Sequence, residues 1–119
     1  METIIHKINN SEIIEILADH IIISKAEDAL SIMGNFYFQG FDRLMIHQKD
    51  IIVDFFDLKK GLAGEILQKF STYKMKLAIV GDFSEFTSKS ILDFIYESNK
   101  GNQIVFVDSV GTALNIFGG

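Results

Sequence analysis

Residues 76–107, KLAIVGDFSEFTSKSILDFIYESNKGNQIVFV, decide the fold. Lys76-Leu-Ala-Ile-Val-Gly81 is a nearly unbroken apolar run of strand length, and Gln103-Ile-Val-Phe-Val107 is another. Between them, Ile91, Leu92 and Ile95 recur at helical spacing over 87–99. Lys100-Gly101 supplies the stop, because glycine tolerates the left-handed backbone that a helix end requires. Strands that are apolar on both faces are covered on both sides, and such strands are usually parallel. Strand, helix and strand in this order predict a right-handed βαβ unit.

The same reading extends upstream. Arg43-Leu-Met-Ile-His47 is a short apolar strand, and Leu58, Leu62, Ile66, Phe70 and Tyr73 mark a helix over 58–73. Thr3–Ile8 and Glu12–Ala18 are β-rich, and Asn9, Asn10 and Ser11 between them predict a hairpin with a three-residue loop. Ser24 and Glu27 have the S-x-x-E spacing of a capping box. Ala26, Ala29, Leu30, Met33 and Tyr37 follow as the buried stripe of a first helix, with Gly40 as its stop. Downstream, Ser109 can cap a short helix running through Ile116. The expected fold class is α/β, as a single domain over 1–119. It comprises an N-terminal β-hairpin, then βαβαβ with a mostly parallel core sheet, and a C-terminal helix.

Composition bounds the function. With 119 residues, 48% hydrophobic and 23% charged, the chain is an ordinary globular domain rather than a disordered one. The absence of Cys excludes disulfides, thiol catalysis and cysteine zinc sites, and suits a reducing cytoplasm. No basic stretch precedes an apolar run at METIIHKINN, and no run approaches the roughly 18 apolar residues of a membrane span. A net charge of -5, with Arg43 the single arginine, equips the chain poorly for phosphate-rich partners, so neither nucleic acid nor membrane is expected.

In open parallel sheets, ligands collect beyond the carboxyl ends of the strands. Those ends are the loops 48–57, with Asp50, Asp54 and Asp57, and 81–87, with Asp82 and Glu85. The candidate binding residues are Asp54, Phe55, Phe56, Asp57, Lys59, Gly61, Gly64, Glu65, Gly81, Asp82 and Phe83. Each also has a plainer reading. Asp57 is placed to cap the second helix, where its charge meets the positive end of the helix dipole. Phe55 and Phe56 suit the core. Gly61 and Gly64 cost about 1 kcal/mol each inside a helix, which suggests a close backbone approach. Asp54, Asp57 and Asp82 match no calcium loop, so no metal is expected. His6 and His47 alternate with apolar strand residues as solvated or satisfied positions. No G-x-S-x-G or phosphate loop is present and no catalytic triad can be assembled from the sequence, which favours a non-catalytic module over an enzyme, and no cofactor is expected.

The blocks DFFDLKKGLAGEILQKF (54–70) and KLAIVGDFSEFTSKSILDFIYESNKG (76–101) resemble a family of small bacterial proteins known only as a domain of unknown function. More loosely, Phe56-Asp-Leu-Lys-Lys-Gly-Leu62 and Val107-Asp-Ser-Val-Gly-Thr-Ala-Leu114 are similar to the turn–helix and last strand–helix of STAS domains, the anti-sigma-factor antagonists. That resemblance implies a regulatory module acting on a protein partner. Self-association as a homodimer is a further expectation, because a domain of 119 residues has little chain with which to cover both faces of its sheet. STAS regulators accept phosphate on a Ser or Thr in that turn, but Leu58 and Lys59 stand there and no hydroxyl occurs from Val53 through Ile66. A shared fold would therefore lack the phosphorylation switch. The alternative expectation is a small-molecule site or enzyme in the acidic crevice beyond the third and fourth strands.

Overall fold

A computed structural model describes residues 1–118. β1 (Glu2–Ile8) and β2 (Ser11–Leu17) form an antiparallel hairpin, followed by α1 (Ala26–Tyr37), β3 (Arg43–His47), α2 (Leu62–Thr72), β4 (Lys76–Val80), α3 (Lys89–Gly101), β5 (Ile104–Val107) and α4 (Val110–Gly118). Ser11 pairs with Ile8 and belongs to β2, so the expected three-residue loop is the two-residue turn Asn9-Asn10, with Asn9 at φ 55. The five strands stand side by side in chain order, β1-β2-β3-β4-β5. Every pair after the hairpin is parallel, so the parallel core also includes β2.

Side-chain alternation divides the apolar residues between two faces. Ile14, Ile16, Leu44, Ile46, Leu77, Ile79, Ile104 and Phe106 point to the side covered by α1, α2 and α3. Ile13, Met45, Ala78, Val80, Val105 and Val107 point the other way, where α4 covers them with Ala113 and Phe117. Full burial of such an aliphatic side chain contributes about 1.5–3 kcal/mol, so both faces are needed to hold the sheet.

Three helix boundaries move from the expected positions. At α1 the capping carboxylate is Asp28, not Glu27. It accepts from the Ser24 N–H at 3.0 Å, the Ser24 hydroxyl at 3.0 Å and the Lys25 N–H at 3.3 Å. These bonds hold the Asp28 carboxyl below the usual aspartate value, with the Ser24 backbone bond the largest cause. The helix expected over 58–73 is split. Leu58–Lys60 is a single 3₁₀ turn, Gly61 adopts φ 81, and α2 begins only at Leu62. Asp57 therefore caps the 3₁₀ turn, accepting from the Lys59 N–H at 3.3 Å, and not the α-helix. At α3, Gly101 is the last helical residue and Asn102 takes the left-handed position at φ 58. Ser109 does cap α4, accepting from the Thr112 N–H at 3.1 Å.

Candidate functional site

The loops beyond β3 and β4 meet at one end of the sheet. After β3 the chain makes three successive 3₁₀ turns, Gln48–Asp50, Val53–Phe56 and Leu58–Lys60. A parallel bridge between Ile23 and Ile51 stitches them to the segment entering α1, with Ile52 N–H donating to the Ile23 carbonyl at 2.8 Å. After β4, Asp82 accepts from both the N–H and the hydroxyl of Ser84, at 3.0 and 2.6 Å, which tightens the turn and lowers its pKa.

Aromatic rings fill the space between these loops. Phe55 and Phe56 are buried. Phe56 lies 5.0 Å from Phe86 and 6.0 Å from Phe83, ring centre to ring centre. Phe106 of β5 meets Phe55, Phe56, Phe83 and, from α3, Phe94. Such offset and edge contacts add about 0.5–1.5 kcal/mol per pair beyond burial. The crevice expected to be acidic is thus plugged by hydrocarbon at its centre.

The expected carboxylates stand apart around this plug. Asp54 pairs with Lys60 at 3.3 Å, Asp57 caps its own turn, and Asp82 turns back on Ser84. Asp50 is buried with Oδ1 held by the Lys49 ammonium at 2.8 Å, while its Oδ2 has no partner among the described residues. Among the described residues, no three His, Asp or Glu side chains are arranged to hold a metal ion. Glu65, Lys59 and Gly64 face solvent. A Cβ on Gly64 or Gly61 would have nothing within 4 Å, so the close approach expected there is absent. It occurs instead at Gly81, where a Cβ would lie 2.5 Å from that of Gln48. Gln48 Oε1 accepts from the Asp82 N–H at 3.0 Å and ties the two loops together.

Two open hollows flank the plug. The first, about 550 Å³, is almost wholly apolar, walled by Ile21, Ile52, Val53, Phe56 and Phe86 with Lys49 at the rim. Val53 is 74% exposed and Ile21 45% exposed, so this apolar surface meets water directly. The second, about 540 Å³, lies between Gly81–Ser84 and the start of α4, and brings the Asp82 and Asp108 carboxylates to one opening.

A further polar cluster, on the α4 side of the sheet, was not anticipated. Glu15 of β2 is buried and bonded on both oxygens, to His6 Nε2 of β1 at 2.8 Å and to His47 Nε2 of β3 at 2.7 Å. Burial alone would push its pKa up. The hydrogen bonds and charges of His47 and His6 outweigh that, and the carboxyl sits below the usual glutamate value. His6 and His47 are therefore satisfied strand positions, as expected, but the shared carboxylate that satisfies them went unread.

No curated protein matches the chain by sequence. Its fold is similar to that in the crystal structure of a proposed anti-sigma factor antagonist from Thermotoga maritima. The TM-score is 0.50 at 11% identity, covering 97% of this chain and 93% of that one. At that identity the likeness is one of fold alone, and it agrees with the STAS-like order of elements. No helix among the described residues is long and apolar enough to cross a membrane. A family profile matches residues 8–116, most of the chain, and the protein belongs to the family described as Domain of unknown function (DUF4180).

Proposed function

We propose that the protein is a non-catalytic regulatory module that binds a protein partner through the first hollow and the turns beside it, from Lys49 to Glu65. The observation that carries this reading is the apolar wall at the end of the sheet, where Ile21 and Val53 stand exposed beside the buried Phe56, with the Lys49 ammonium at the rim. Exposed apolar surface with a charged rim is the usual mark of a protein-binding face. The likeness to a proposed anti-sigma factor antagonist, named for its action on another protein, supports the regulatory sense. With no hydroxyl from Val53 through Ile66, binding here works without a phosphate switch in the turn.

The test is affinity capture from the source organism with wild-type protein, Val53→Asp and Lys59→Glu. Val53 and Lys59 are exposed, so both variants should keep their stability within about 0.5 kcal/mol. A partner held by the wild type and lost by Val53→Asp supports the reading, and equal retention by all three proteins refutes it.

A second reading has its own observation, that Asp82 and Asp108 both line the second hollow. Two carboxylates at one opening suit a polar or cationic small molecule, whose binding would raise the melting temperature by mass action. A metabolite and divalent-cation thermal-shift screen with no response in the wild type would remove it.

A further inference from the structure

The two edges of the sheet are finished differently. β5 is four residues long, buried throughout and covered by α3 and α4. β1 is seven residues long, pairs only with β2 among the described residues, and has no buried residue. Its register with β2 runs unbroken from Glu2 to Ile8, so no bulge twists the edge away. It carries no proline, and Ile4 and Ile5 are 43% and 50% exposed on opposite faces. A long edge without bulge or proline, with two isoleucines exposed near its centre, is a template for another strand.

The hairpin settles which groups point outward. A two-residue loop closes on a hydrogen-bonded pair, here Ile8 with Ser11, and bonding alternates along an antiparallel ladder. Residues 8, 6, 4 and 2 therefore bond to β2, while Thr3, Ile5 and Lys7 turn their N–H and C=O groups to the open edge.

We infer that β1 pairs antiparallel with β1 of a second copy, centred on Ile4, to make one continuous ten-stranded sheet. The occupant is named by self-complementarity. Residues opposite each other in an antiparallel pair share a face, and a two-fold axis through Ile4 places Ile4 against Ile4 of the copy. The same axis sets Glu2 against His6 of the copy, both on the α4 side, so unlike groups meet twice. On the helix-rich side, Thr3 and Ile5 of the copy exchange backbone hydrogen bonds, again twice.

The absence of cysteine gives a clean test. Cα atoms in a non-hydrogen-bonded antiparallel pair lie about 4.5 Å apart, inside the range of about 4.4–6.8 Å that a disulfide spans. Ile4→Cys should cross-link to dimer under mild oxidation. Ile5→Cys, which faces Thr3 of the copy, should not. In sedimentation at about 100 μM, where mass action favours association, the wild type should run at twice the monomer mass. Ile4→Lys, which sets two ammonium groups against each other at an exposed position, should run as monomer with unchanged circular dichroism. A wild type that stays monomeric overturns the proposal. So does a dimer that survives Ile4→Lys, or one that cross-links at residue 5 and not at residue 4.

Discussion

On one side of the sheet, three helices close over Ile14, Leu44, Leu77 and Phe106, and the aromatic plug extends that seal to the loop end. On the other side one helix covers Ile13, Met45, Ala78 and Val105, and beyond its reach the surface is finished by Glu15 between two histidines. The first face excludes water with hydrocarbon. The second, short of helices, satisfies a buried charge with partners that are themselves part-exposed. A single sheet thus carries one face sealed by hydrocarbon and one that includes a buried titratable group.

The comparison breaks most severely at Phe106. Its ring touches four others, so Phe106→Ala should cost about 3–5 kcal/mol in urea unfolding. A loss below about 1 kcal/mol would mean the plug is not a cooperative part of the core. On the α4 side, Gly118 is pressed on Ile8, whose Cγ2 would lie 2.4 Å from an added Cβ. Gly118→Ala should overpack that seam and cost about 1–3 kcal/mol.

Glu15 sharpens the contrast through pH. Its folded pKa lies below the ordinary glutamate value of 4.5, so the unfolded chain takes up the proton first as pH falls. The stability it adds is complete above that value and is lost as pH drops through the lower, folded pKa. Glu15→Gln should cost about 1–2 kcal/mol at neutral pH and flatten the acid limb of the stability curve. Phe106→Ala should lower that curve without changing its shape. The smallest effect is a gain. Gly64 sits in α2 with open space where a Cβ would go, so Gly64→Ala should stabilise by about 0.5–1 kcal/mol.

What was legible in the sequence follows from which signals are local. Apolar runs located β3, β4 and β5, and helical spacing located α1 and α3, because periodicity needs only near neighbours. The stretch 48–57 was read correctly as a loop, but 58–61 was misread as the start of the helix. Leu58 continues the spacing of α2, but the positive φ of Gly61 ends that continuity, and only the three-dimensional turn reveals it. Of the candidate site, Phe55, Phe56 and Phe83 were found as residues but not as a plug, since Phe106 and Phe94 join them from remote strands and helices. Glu15 was invisible as a site because its partners lie 9 and 32 positions away, and nothing in I-I-E-I says that two histidines converge on it.

The chain-order sheet has a consequence for synthesis. As the polypeptide leaves the ribosome, each new strand docks on one already laid down, so assembly can proceed from the N-terminus without waiting for distant partners. The exception is α4. Until its residues emerge, Ile13, Met45, Ala78, Val80, Val105 and Val107 lie under no cover. The closing latch, Asn9 Nδ2 donating to the Gly118 carbonyl at 2.9 Å, spans 109 positions and is among the last bonds that can form. The nascent chain is thus most open to misassociation before α4 docks, when its sheet is complete and one whole side is still bare.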